Sequence, residues 1–304
     1  MQYCLTVLGR PEEAESVIDN FVKDHPDLPD VDRIYYKKVE YALNQKHYTE
    51  AERALKEFLV KFPGSSMAPK ALYNLATVEM DLGKGGSAIG FLSDLISKKP
   101  PTEYTTAGQI KLADIYTARK SYGEAEKLLT EAASTANDYS TGAQVALGRL
   151  CLREGDTLRA ESNFSKAALS QTDSVNDGDK AEAKVLLSRI YFDKGRVNDA
   201  ISLANAVAKT REDLIGARAQ LDVAEYFCAS GDSSNAVLAF LRVKYVFPSF
   251  GDIVAKSQLE LAACLAKFGN ISDARSLLQE FIKGRGDDSF TKEAKEKLKQ
   301  LRSH

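Results

Sequence analysis

The chain has no tryptophan and only three histidines, three methionines and four cysteines in 304 residues. None of His25, His47 and His304 has a partner three or four residues away that would make a metal site. Cys4, Cys151, Cys228 and Cys264 match no zinc spacing. All four fall in predicted helices near core-facing slots. They are read as small buried hydrophobes, and Cys228 and Cys264, though in adjacent repeats, are not expected to bridge. No apolar run approaches the roughly 18 residues of a membrane span. Neither sign of charge prevails: 41 Lys and Arg face 43 Asp and Glu, a net charge of −2. There is no basic tail, and nucleic acid is not an expected partner. No nucleophile sits in an elbow or triad context. GKGGSAIG at 83–90 lacks phosphate-loop spacing, and DSVNDGD at 173–179 puts Val175 where a calcium loop needs an oxygen. Arg285-Gly286-Asp287 reads as a turn. Neither catalysis nor a cofactor is expected.

What the chain does have is a period. Ala14, Ala51, Ala88, Ala125, Ala160, Ala200, Ala236 and Ala274 are separated by 37, 37, 37, 35, 40, 36 and 38 residues. Five residues before six of them stands a glycine: Gly9, Gly83, Gly155, Gly195, Gly231 and Gly269. Each unit carries two amphipathic stripes, one on either side of the glycine slot. In the unit at 68–100, Leu72, Leu75, Ala76 and Glu79 precede Gly83, while Ala88, Leu92 and Leu95 follow it. Glycine suits a helix end that turns through positive φ. Alanine early in the second helix lets two helices approach closely. Pro26, Pro63, Pro100 and Pro248 close four units. The expectation is an all-α chain of 15 to 17 helices of about 12 to 17 residues, stacked as helical hairpins in one array over 1–304. A polar helix over 288–304, with Ser289 as N-cap, caps the stack or opens a further unit. Because the first unit begins inside a helix, the chain reads as a piece of a longer array or a mature form.

The pattern resembles the tetratricopeptide repeat, in which a Leu-small pair, an aromatic and an A-x3-F step recur. The pair is Leu75-Ala76, Leu112-Ala113, Leu147-Gly148, Leu187-Ser188, Val223-Ala224 and Leu261-Ala262. The aromatic slot holds Tyr116, Tyr191 and Phe227, and the last step reads Ala160-Phe164 and Ala236-Phe240. The unit at Ala51 departs from the pattern, with Lys46 for the turn glycine and Lys38-Val39 for the Leu-small pair. The resemblance implies a right-handed superhelical solenoid of about seven to eight hairpins. Over about one and a half units, from Phe58-Leu59 through Phe62-Pro63 to Tyr73, the chain is similar to the longer repeats of bacterial envelope proteins. These are the barrel-assembly lipoprotein and the Tol–Pal coordinator. On that likeness a periplasmic or envelope-associated setting is preferred to the cytoplasm.

The family lines its concave face with first helices. Carried onto this chain, that geometry offers Tyr36, Tyr73 and Met80 as apolar anchors, then Asp114, and Arg149, Arg153 and Arg189 beside Phe192. The expected partner is a protein or peptide segment with acidic and bulky apolar residues. Asp114, Arg149, Arg189 and Glu225 could equally form a ladder of ion pairs between neighbouring helices. The family's carboxylate clamp is absent, since this row has no asparagine. Two functions compete: a scaffold that binds in its groove, and a spacer module of a larger protein.

Overall fold

A computed structural model describes residues 11–98, 100–170 and 177–301. Gly9, Cys4, residues 173–176 of the acidic loop and the last three residues of the C-terminal segment lie outside these ranges. The described residues form sixteen α-helices of 12 to 17 residues and no strand. The fold divides into two compact units, up to Ala146 and from Leu147, where the repeat predicts one array. Unit 1 contains α1 (Pro11–Asp24), α2 (Val31–Asn44), α3 (Tyr48–Lys61), α4 (Ala68–Asp81), α5 (Gly85–Ser97), α6 (Glu103–Ala118) and α7 (Tyr122–Ser134). The division falls within α8 (Ser140–Arg153). Unit 2 continues with α9 (Thr157–Ala168), α10 (Asp177–Asp193), α11 (Val197–Thr210), α12 (Leu214–Ser230) and α13 (Ser233–Val246). It ends with α14 (Gly251–Lys267), α15 (Ile271–Gly284) and α16 (Ser289–Gln300).

Seven hairpins follow, each turning at the predicted slot. Gly83, Gly155, Gly195, Gly231 and Gly269 take φ between 76° and 89°. The next residue donates its amide five residues back: Lys84 to Glu79, Asp156 to Cys151, Arg196 to Tyr191, Asp232 to Phe227 and Asn270 to Leu265. This Schellman arrangement satisfies carbonyls that the helix end would leave open. The turn is kept even where glycine is missing. Lys46 and Lys120 adopt φ of 57° and 62° with the same bonds, His47 to Ala42 and Ser121 to Tyr116. The repeat alanines from Ala51 to Ala274 are all fully buried. Four residues on, Leu55, Leu92, Leu129, Phe164, Phe240 and Leu278 are buried too, each contributing about 1.5–3 kcal/mol of burial. The small half of the Leu-small pair makes room for this step. A Cβ on Gly148 would stand 2.5 Å from the Phe164 ring.

Two expectations need correcting. Cys228 and Cys264 are joined by a disulfide between α12 and α14, their Cα atoms 6.0 Å apart. First helices of successive units pack side by side, so a separation near one repeat brings equivalent turns together. Cys151 is buried and free, as predicted. The N-cap of α16 is Asp288, not Ser289: its carboxylate accepts the Thr291 amide at 2.8 Å.

Candidate protein-binding face

The first helices of unit 1 carry aromatic side chains. Tyr36 is buried: its ring meets Phe58 edge-on at 5.0 Å and its hydroxyl accepts a hydrogen bond from Asn74 Nδ2 at 2.9 Å. It therefore anchors the hairpin from inside. Tyr73, one repeat later, is half-buried, and its ring centroid lies 6.0 Å from that of Tyr104. Lys111 Nζ sits 5.4 Å above the Tyr73 ring. Tyr139 is close enough to couple electrostatically with both Tyr73 and Tyr104. Burial pushes all three hydroxyls above the ordinary phenol value, so they stay neutral hydrogen-bonding groups at physiological pH. Met80 lies seven residues after Tyr73 on the same face of α4 and is 37% exposed. Asp114 is exposed on α6 and acts electrostatically on Tyr73.

Sequence reasoning passes over Tyr104 and Tyr139. Both stand 21 residues before their repeat alanine, at the start of consecutive first helices, and that shared register is the signal that would have found them.

The first helices of unit 2 present ions instead. Arg149 pairs with Glu182 of the next first helix. Arg189 holds Asp222 with two bonds, Nε at 2.9 Å and Nη2 at 3.1 Å. Glu225 meets Lys256 at 3.1 Å, and Glu260 meets Lys297 at 3.8 Å. Burial pushes the Asp222 carboxyl up and the Arg189 guanidinium pulls it back. A ladder thus runs between neighbouring first helices, with partners other than those expected: Glu182 rather than Asp114, Asp222 rather than Glu225. Arg153 is exposed and makes no ion pair with a described residue. Phe192 stacks on Tyr226 at 4.5 Å, half-buried in the unit's core. The aromatic anchors and the arginines fall in different units.

Residues 33–180 match the tetratricopeptide repeat-like domain. That stretch of the chain is a tetratricopeptide repeat-like domain. Solved structures share its fold at low identity. A tetratricopeptide repeat protein from Parabacteroides merdae is 16% identical, with a TM-score of 0.56 over 89% of this chain and 98% of that one. PilF of Pseudomonas aeruginosa is 16% identical, with a TM-score of 0.58 over 75% and 97%. PilW, a type IV pilus biogenesis factor, is 16% identical, with a TM-score of 0.57 over 75% and 99%. No curated protein matches the chain in sequence. As a tetratricopeptide repeat fold, the chain has the architecture of a protein–protein interaction scaffold. No helix among the described residues is long and apolar enough to cross a membrane.

Proposed function

We propose that the protein is a scaffold whose unit 1 binds a segment of another protein across Tyr73, Tyr104 and Tyr139, with Met80 at the edge. The observation that supports this is the half-exposed tyrosine cluster. Rigid aromatic rings offer large contact area at low entropic cost, each with a polar tip, and such residues dominate binding hot spots. Lys111 stands over the Tyr73 ring and makes no ion pair with a described residue, ready for a carboxylate. The partner segment therefore brings bulky apolar side chains and at least one acidic group. Arg149 and Arg189 are engaged by Glu182 and Asp222, so of the expected arginines only Arg153 is left for a partner.

The ladder and the disulfide support a second role for unit 2, that of a spacer holding a fixed distance. The disulfide also supports an oxidising compartment, because such bonds are rare in reducing cytosol. An envelope setting agrees with it, and with the likeness to PilW, a type IV pilus biogenesis factor.

The test is site-specific photocrosslinking in the parent cells. A benzoylphenylalanine at Tyr104 is expected to trap a discrete partner, and Tyr73→Ala should abolish the adduct. The same probe at Lys166, exposed on α9, should trap none. Equal trapping at both positions would refute the tyrosine face. Reversal of Arg149 and Arg189 to Glu should lower the melt modestly and leave trapping intact. Loss of trapping with an unchanged melt would return the site to the arginines.

A further inference from the structure

One second helix differs from its six counterparts on the side facing away from the core. Two residues after the repeat alanine stand Arg53, Gly90, Lys127, Ser162, Ser202 and Ser276, but Leu238 in α13. Five residues after it the other six units carry a polar residue, whereas α13 has Leu241. Nine residues after it comes Tyr245. Leu238 is 61% exposed and Tyr245 71%, with Val246 beside it at 43% and Leu241 half-buried. Leu238, Leu241 and Tyr245 follow helical spacing and form one stripe. The opposite side of the same helix, Ala236, Ala239, Phe240 and Val243, is buried in the core of unit 2. A helix apolar on both sides belongs between two partners, and the hairpin stack supplies one. Other exposed apolar side chains, among them Val60 on α3 and Leu158 and Leu169 at the two ends of α9, have no second large exposed apolar side chain three or four positions away.

The charge on α13 itself has one sign, and Glu280 of α15 lines a pocket beside Lys244. Arg242 and Lys244 are the only charged residues of α13. Lys209 on α11 and Lys283 on α15 are exposed in the slot that Tyr245 fills. None of these four cations forms an ion pair with a described residue, and Lys244 leans 5.7 Å over the Tyr245 ring. The carboxylate in the equivalent of the Arg242 slot is Glu280 on α15. We infer that the outward face of α13 docks an acidic amphipathic helix of another protein. Its apolar side lies on Leu238, Leu241 and Tyr245, and its carboxylates meet Arg242, Lys209 and Lys283. A second copy of this chain fits worse, because a two-fold contact would bring these cations against themselves. The surface is in unit 2, on second helices, and does not depend on the tyrosine face of unit 1.

The probe is a fluorescent synthetic helix with leucines at i, i+4 and i+7 flanked by glutamates, compared with its lysine-flanked counterpart by anisotropy. The glutamate helix is expected to bind the full chain at least about tenfold more tightly than the lysine helix. Leu238→Ser with Tyr245→Ser should weaken it by about tenfold or more, while Leu158→Ser and Tyr73→Ala with Tyr104→Ala leave it unchanged. Arg242→Glu, which keeps the apolar stripe, should narrow the preference or reverse it even if the serine variant folds poorly. The inference is overturned if the two helices bind alike, if neither binds, or if Arg242→Glu leaves the preference intact. A dimer dissolved by the serine variant would assign the face to self-association. Competition by anionic vesicles and not by the glutamate helix would assign it to a membrane. Either result ends the proposal.

Discussion

Units 1 and 2 are made of the same hairpin and stabilised differently. Unit 1 turns two of its three hairpins on lysine, Lys46 and Lys120, in a left-handed conformation that costs a residue with a Cβ. Unit 2 uses glycine in all four. Among the described N-caps of unit 1, those of α2, α3, α4, α5 and α7 make no side-chain cap, and α6 has a capping box of Thr102 and Thr105. In unit 2, Asp156, Asp213, Asp232 and Asp288 all cap helices. Both units bury charge, with Lys38 4% and Glu79 1% exposed in unit 1 and Asp222 5% in unit 2, and unit 2 adds a disulfide. Local rules are thus met more fully in unit 2. Departures from them gather in the unit that also shows the half-exposed tyrosines, which is where a functional face is expected to sit.

The largest effect should come from the buried charge. Lys38 Nζ donates to both carboxylate oxygens of Asp19, at 2.9 and 2.8 Å, from a nearly solvent-free position. Asp19→Ala strands that ammonium and should cost unit 1 about 3 kcal/mol, the lower end for a buried pair because Asp19 is half exposed. Adding Lys38→Met should restore most of the loss. Chemical denaturation with hydrogen exchange at α2 amides reads both changes. If the double variant is no more stable than Asp19→Ala, the pair is not what holds α1 to α2.

The disulfide comes next. Cys228→Ser with Cys264→Ser should lower the stability of unit 2 by about 2–4 kcal/mol, and exchange in α2 to α5 should not change. Equal losses in both units would mean that they unfold together and that the contrast is one of composition only.

Much of this was legible in the sequence. The alanine period, the turn slots and the A-x3-F step each follow from a single steric demand, met respectively by alanine, mostly by glycine, and mostly by phenylalanine or leucine. What stayed hidden depended on neighbours one repeat away. Lys38 looked like a lost Leu-small pair, because its partner Asp19 belongs to the preceding unit. The Cys228–Cys264 bridge looked implausible even across adjacent repeats, because a buried cysteine reads first as a small hydrophobe. The arginines read equally as a partner's landing place and as a ladder, and the carboxylates they pair with, Glu182 and Asp222, were missed because they stand 33 residues away. In a solenoid that separation is a contact.

The turns should respond in opposite directions. Lys46→Gly and Lys120→Gly relieve positive φ and should each stabilise unit 1 by about 0.5–1 kcal/mol. Gly231→Lys should cost unit 2 about 1 kcal/mol for the same reason, since the space around its Cβ position is open and only the backbone is strained. Thermal melts of the three variants check this. A loss in Lys46→Gly would show that the lysine side chain contributes more than its backbone costs.

The smallest effect is a slope in pH. Lys56 and Lys84 hold Glu52, on α3, down from an ordinary 4.5 to about 2. A carboxyl lowered on folding contributes stability that is complete above its unfolded value, and loses it as pH falls through the folded one. The window here is therefore pH 4.5 down to 2. Both lysines are about half exposed, so solvent screens the pairs and the contribution is about 1 kcal/mol at most. Glu52→Gln should remove that part of the acid loss from unit 1 and lower its stability slightly at neutral pH. Asp222 in unit 2 is predicted to behave the other way. Its carboxyl is raised by burial, so its ionisation opposes folding, and stability at this site falls as pH rises from 3.8 through the raised value. Acid titrations followed by exchange in α3 and in α12 compare the two. If Glu52→Gln leaves the α3 profile between pH 4.5 and 2 unchanged, the two lysines do not hold the carboxylate in solution, and the ionic contrast between the units narrows to Lys38 and the ladder.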